Sequence, residues 1–421
     1  MPDRTTPLHA WHRSNGANMA SFGGYDMPLW YSSVKDEHLA VLTASGLFDT
    51  SHMACIALKG PEARPLLQLC FSRDLRACLG KEGQPLVPGR SVYGVFLDEQ
   101  AHVLDDAIIS QLNENEYLVV VNSGMGPRLT EHLLSHRQGK SCEIHDLTDS
   151  VAKIDLQGPK AATIMASLLK SPDQVLSHLP YFSFKGHFDP NHPGASGVRL
   201  VDGTSVMLSR SGYTGELGFE IFLQPLLLVK TWDMILKAGQ SAGLIPCGLA
   251  SRDSLRTGAV LPLSHQDIGD WPFINNPWTF ALPFNAQQSG FTKEFVGGQA
   301  LLNQDNPEFT LPFVGQNLRK VTVSEQSAVL GDDGQPIGTI LTCATDMGIG
   351  WHEGRIVSIA SPDRPEGFTP RGLACGFVKV SRRLQSGDRI ELTDGKRTIP
   401  ATITRDIRPD RTARRSLSDM L

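Results

Sequence analysis

SVYGVFLDEQAHVLDDAIISQLNENEYLVVVN, residues 91–122, decides the fold class. Three apolar runs, SVYGVFL, HVLDDAIIS and EYLVVVN, are separated by polar turns and alternate with the period of two that belongs to β-strands. They read as a three-stranded meander. Asp105 and Asp106 interrupt the middle run. Successive strand side chains point to opposite faces, so one Asp joins Val103 and Ala107 and the other joins Leu104 and Ile108. A buried, unpaired carboxylate is costly. Two readings stay open: charges guarding an edge strand or a bulge, or a functional pair.

Working outward, DEHLAVLTAS (36–45), PEARPLLQLCF (61–71), GPKAATIMASLLK (158–170) and PLLLVKTWDMILKAG (225–239) read as helices, the first with Asp36 near its start and Gly46 stopping it. Residues 198–223 read as a hairpin, VRLVDGTSVMLSR and GFEIFL, joined by the Gly-rich SGYTGELG. The segment 268–295 is aromatic and Pro-rich and reads as a linker or covering loop. Beyond about residue 315, short strands with turns at GDDGQP, EGR, SPDRPEG, QSGD and TDGK predict a small β-barrel or sandwich. The whole is α+β.

The bulk properties exclude several classes. With 421 residues, two or three domains are expected. Hydrophobic residues at 40% and charged residues at 20% exclude disorder. A net charge of -5 argues against nucleic acid as a partner. The start MPDRTTPLHAWHRSNG has no apolar core of a secretory signal, and no run approaches the ~18 apolar residues of a membrane span. The seven cysteines form no CxxC, so neither a disulfide framework nor a metal site is expected, and a reducing, cytoplasmic setting fits.

Three further residues carry two readings each. Glu220, within GFEIFL, points into solvent or into a polar pocket beside turn glycines that admit a ligand. Arg252 in LASRDSLR reads most simply as a helix-surface residue paired with Asp253 or another neighbour. His52 in DTSHM has no metal-type spacing around it and reads as a satisfied structural histidine. No P-loop, GxGxxG or GxSxG is present. The residues by themselves therefore do not reach a reaction.

Several segments together resemble the glycine cleavage T-protein family: TPLHAWHRSNGANMASFGGYDMPLWY (6–31), GLFDTSHM (46–53), SVYGVFL, LDDAIIS, YLVVVN, LQGPKA, YFSF, SRSGYTGELGFE (209–220), CGLASRD (247–253), NNP and KEFVGGQALL (293–302), in the family order. The resemblance implies an α+β multi-domain cloverleaf around a central folate-binding hole. Its parts are a folate-binding domain (1–55 and 150–270), an α+β domain with the catalytic Asp (56–149), a linker or cover (271–314) and a C-terminal β-barrel (315–421). It implies an aminomethyltransferase that moves a methylene carbon from the aminomethyl-lipoyl arm of H-protein to tetrahydrofolate, releasing ammonia. The implied partner is lipoylated H-protein, with no nucleic acid or membrane, and the chain is expected to be a monomer.

By motif position, Asp106 matches the family's catalytic carboxylate and Glu220 the acid that holds the pterin edge. Tyr93, Asn122, Tyr213 and Arg252 match other folate-pocket positions. Met53 matches a residue lining the hole, and Phe284 an aromatic lying against the folate. Two family acids are absent, at Gly258 and Thr279, and TCATDMGIG (342–350) departs from the family pattern. Extra length falls near 185–197 and 344–370. The basic tail DIRPDRTARR (406–415) suits folate glutamates or an acidic carrier, or is a solvated surface. Alternatives that share the folate hole are a tetrahydrofolate-dependent demethylase of a small N-, O- or S-methyl compound and a non-catalytic folate-binding protein. The latter's K-G-C-Y-x-G-Q-E is missing here.

Overall fold

The meander forms. In the computed structural model, which describes residues 3–421, Ser91–Leu97, Val103–Asn113 and Glu116–Val121 pair antiparallel, and Ala54–Lys59 and Glu143–Asp146 extend the sheet to five strands. Residues 1 and 2 of the expected first domain lie outside the described residues. Helices Ala63–Cys70 and Gly126–Arg137 bury Leu66, Leu67, Leu129 and Leu133 against Ile56, Phe96 and Val119.

One detail departs from simple alternation. Leu97 pairs with Val103 and Phe96 with Asp105, which leaves Leu104 unpaired as a β-bulge. Leu104 then enters the core of Phe96, Ala107 and Ile109, while Val103 packs with Val95 and Leu97 in another core. Asp106 lies opposite Val95, on the face of Tyr93 and Ile108, and does not share the face of Leu104.

A six-stranded sheet runs in the order Phe184–Gly186, Met207–Ser209, Gly218–Leu223, Ala152–Gln157, Ser45–Asp49, Leu244–Cys247, antiparallel except for the last pair. Helices Ala161–Leu168 and Leu228–Gly239 cover it with Ile164, Met165, Trp232 and Ile235. Only part of the expected hairpin pairs. Residues 198–206 form isolated bridges, because Asp202 turns back on Thr204. Helix Val34–Thr43 begins where the Ser33 side chain accepts the Asp36 N–H. Gly46 does not stop it: Gly46 lies inside a strand, where a Cβ would come within 2.6 Å of Cys247 Sγ and Val41 Cγ2.

The C-terminal strands close into a barrel of Phe309–Gly315, Leu373–Val380, Pro336–Asp346, Ala328–Leu330, Arg389–Thr393 and Thr398–Ile403. Its first strand begins at Phe309, so all but its last residue falls in the span expected as linker. The segment also contributes to a core. Ile268, Phe273, Trp278, Leu282 and Phe295 pack with Val95, Leu97 and Val103 of the five-stranded sheet and with Phe377 of the barrel. Among the described residues, no helix is long and apolar enough to cross a membrane. All seven cysteines are free thiols, six of them buried.

Two sequence departures meet in space. Gly258 ends helix Leu249–Gly258, and a Cβ there would lie 1.8 Å from Asp346 Oδ2. Asp346 comes from the TCATDMGIG stretch. It accepts from Arg408 Nη1 at 2.5 Å and from the Gly348 N–H at 2.8 Å, and lies 3.0 Å from His38 Nε2. An acid thus stands at this point of the fold, supplied by the barrel and not by the helix. Burial pushes the Asp346 carboxyl up, but Arg408 and His38 outweigh it and hold it far below the usual carboxylate range. A depressed folded-state value contributes stability above the ordinary carboxylate range, and that stability is lost as pH falls through the folded value. Asp346→Ala leaves Arg408 buried without its main partner and is expected to cost about 3–5 kcal/mol in urea unfolding at neutral pH. A loss below about 1 kcal/mol would show that the pair is not a structural requirement.

Candidate functional site

Asn122, one residue past strand Glu116–Val121, gathers the acid pair. Its backbone N–H donates to Asp105 Oδ2 at 2.8 Å, and its Nδ2 donates to both Asp105 Oδ1 and Asp106 Oδ1 at 2.7 Å. Tyr93 Oη donates to Asp106 Oδ2 at 2.9 Å from the neighbouring strand. Opposite strand faces had implied separate surroundings for the two carboxylates. One amide joins them instead, since the bulge at Leu104 precedes the pair and Asn122 sits where the ladder ends. Asp105 is fully buried, with His265 Nε2 at 3.8 Å from its Oδ1.

Among the described residues, this cage contains donors but no lysine or arginine paired with either acid. Burial pushes Asp106 up, the Asp105 charge pushes it further, and the bonds from Tyr93 and Asn122 pull it only partly back. Burial raises Asp105 as well, against the Asn122 bonds. The two carboxyls titrate as a pair well above the ordinary carboxylate range. Burial, with Asp106 beside it, drives the Tyr93 phenol far up, so Tyr93 stays a donor.

The second array is charge-compensated. On adjacent strands Glu220 lies opposite Asp155. Arg252 Nη1 donates to Asp155 Oδ2 at 2.6 Å, Lys153 Nζ reaches Asp155 Oδ1 at 3.0 Å, and Lys153 also pairs with Glu220, which accepts from Ser211 Oγ. Glu220 is only 7% exposed, which excludes the solvated-face reading and leaves the polar pocket. Arg252 is buried too; Asp253 pairs instead with Arg256 at 2.8 Å. Burial pushes Asp155 up, but Lys153 and Arg252 outweigh it and hold it low. The Arg252 guanidinium stands 5.0 Å from the Tyr213 ring centroid, and the Tyr213 hydroxyl donates to the Pro262 carbonyl.

Met53 packs with Leu118 and Val120 of one sheet and Met207 and Phe222 of the other, where the two sheets meet. Phe284 lies against Phe291 and lines a cleft of about 380 Å³ with Phe280, Arg73 and Asp74. The ring beside Tyr93 is Phe280, 5.9 Å between centroids and 57% exposed. His52 is buried, but its Nδ1 has no partner among the described residues, and burial holds its imidazole down to about 4. Sequence reasoning passed over Lys153, Asp155, His265 and Phe280. The alternating charges in AKIDLQ (152–157) were an available signal for the first two.

Residues 8–272 match the family model described as the GCVT N-terminal domain. The chain belongs to the glycine cleavage T-protein family. It is 38% identical to an aminomethyltransferase of Streptomyces coelicolor over 303 residues, covering 71% of this chain and 73% of that one. It is 35% identical to an aminomethyltransferase of Symbiobacterium thermophilum over 342 residues, covering 80% and 85%. The solved glycine cleavage system aminomethyltransferase T of Bartonella henselae superposes with a TM-score of 0.74 at 27% identity, covering 98% of this chain and 99% of that one. The α+β fold with a closed barrel is therefore that of an enzyme family.

The acid pair gives a test that needs no substrate. Asp105→Asn removes the like charge beside Asp106, so the Asp106 titration should move down by roughly one pH unit or more. Carbon-detected NMR of labelled aspartates reads this directly. An unmoved titration would show that burial alone sets it.

Proposed function

We propose that the protein is a tetrahydrofolate-dependent aminomethyltransferase, which takes the carbon from the aminomethyl-lipoyl arm of H-protein and releases ammonia. The observation that carries this reading is the partly buried Asp106 carboxylate, fixed by Tyr93 and Asn122 and held up toward neutral pH in a member of this family. Bound tetrahydrofolate would supply the nitrogen that accepts the carbon.

The donor chemistry of the pocket fits that group. A pterin edge offers adjacent N–H donors, and the Glu220 carboxylate is an acceptor with lone pairs beyond those used by Lys153 and Ser211. Tyr213 with the Arg252 guanidinium over its ring would form one wall, Met53 and Phe284 would supply apolar contacts, and Phe280 flanks Tyr93. Asp106 has two tasks. As an anion it stabilises the positive charge that builds on the transferred carbon when ammonia leaves. It also accepts the proton lost by the attacking nitrogen, a transfer favoured by a carboxyl poised near operating pH. Tyr93 and Asn122 fix its orientation, and Asp105 raises its basicity.

The docking surface for a carrier is smaller than the tail composition suggests. Arg408 is buried and Arg411 pairs with Asp406, which leaves Arg405, Arg414 and Arg415 exposed. A demethylase would share the folate pocket but not require H-protein. Release of ammonia and methylenetetrahydrofolate is expected only with aminomethylated H-protein present. Turnover of a small methyl donor without H-protein would overturn the aminomethyltransferase reading.

Two variants separate the roles. Glu220→Gln meets a donor with a donor and is expected to weaken folate binding by about 2–4 kcal/mol in titration calorimetry. Near-unchanged affinity would remove Glu220 from the pterin site. Asp106→Asn should keep the fold and most folate affinity and lower turnover at least about 100-fold. A variant retaining a tenth of the turnover would sink the catalytic role.

A further inference from the structure

Away from the acid pair, three ligand-type side chains converge on one point. His132 and His136 are four residues apart on helix Gly126–Arg137, hence on one face. Cys70 ends helix Ala63–Cys70, which packs against it. One ligand atom from each of the three lies within 4.8 Å of the other two. His132 Nε2 is buried and has no hydrogen-bond partner among the described residues. His136 Nδ1 faces the His132 carbonyl at 2.9 Å, which makes Nδ1 the protonated nitrogen and leaves Nε2 with a free lone pair. That Nε2 lies 3.6 Å from Glu99 Oε1, on the turn between strands Ser91–Leu97 and Val103–Asn113.

We propose that Cys70, His132, His136 and Glu99 form a tetrahedral site for a divalent cation of the zinc class. The donor set is one thiolate, two imidazoles and one carboxylate, the mixture such ions take. Metal–sulfur bonds of about 2.3 Å and metal–nitrogen bonds of about 2.0–2.1 Å place tetrahedral ligand atoms roughly 3.3–3.8 Å apart. Binding requires the side chains to close from spacings of up to 4.8 Å to that range. The buried His132 nitrogen, unpartnered among the described residues, gains a partner on binding. The Cys70 thiol gives its proton to solvent as the metal–sulfur bond forms, so binding releases one proton from this group. With four protein ligands the site is closed and structural in type, and it would tie both helices to the hairpin turn of the Asp105–Asp106 strand. The sequence shows HLLSH (132–136), but the thiol comes from a distant helix, which is why the absence of CxxC had argued against a metal.

The test titrates the full chain, stripped by chelation, with Co²⁺. Wild type should bind one equivalent with visible bands of tetrahedral intensity and a near-ultraviolet thiolate-to-cobalt charge-transfer band. Cys70→Ser should lose the charge-transfer band. Because Cys70 is buried, that variant is checked by circular dichroism, and His136→Ala and Glu99→Gln give a second measurement at more exposed positions. His136→Ala should weaken Co²⁺ binding at least about tenfold, and Glu99→Gln should also weaken it. No stoichiometric binding to wild type, no charge-transfer band, or an affinity unchanged in His136→Ala would overturn the site.

Discussion

Arg408 is a guanidinium at 1% exposure, and its surroundings offset the several kcal/mol that desolvating such a charge costs. Asp346 reaches it from the barrel and Glu216 from the Gly-rich loop, while the Thr214 and Leu255 carbonyls accept from it. Its own N–H donates to the Gly258 carbonyl at 2.9 Å. One charge therefore joins the barrel, the C-terminal segment, the helix carrying Arg252 and the loop carrying Tyr213. Gly215 in that loop has φ +79°, and a Cβ there would strike Arg408 Nη2 and Arg411 Cδ. The loop's path into the Glu220 strand depends on this packing.

The site contains two electrostatic solutions to buried acids. Asp155 and Glu220 alternate with Lys153 and Arg252, so opposite charges lie side by side and Asp155 stays ionised. Asp105 and Asp106 have amide and phenol donors in place of cations, and burial wins. Carboxylates close in composition are thereby pushed to opposite ends of their range. Such a division separates a fixed acceptor from a group that exchanges protons.

Much of the architecture was legible because it rests on short-range pattern. The meander, the main helices and the barrel turns follow from periodicity and from Gly, Pro and Asp punctuation. What was not legible depends on a third dimension. The bulge at Leu104 has no local signature, yet it decides which face Asp106 occupies. Arg252 looks like a solvated helix residue until Asp155 approaches from a sheet. Gly258 looks like a loss of charge until Asp346 arrives from the barrel. Phe280 beside Tyr93 follows from the path of an irregular segment whose spacing carries no period.

The chain order of the six-stranded sheet has a kinetic meaning. Its strand Ser45–Asp49 waits for Ala152–Gln157 and Leu244–Cys247, while every strand of the five-stranded sheet lies between Ala54 and Asp146. On a ribosome emitting about 5–20 residues per second, the inserted sheet is complete while its host still lacks partners for an apolar strand. The insert's strands are thus all available for pairing first, and the host sheet gains its last strand roughly ten seconds later at those rates. Arg408 follows every strand of both sheets and of the barrel in the chain, so it joins the assembly after them.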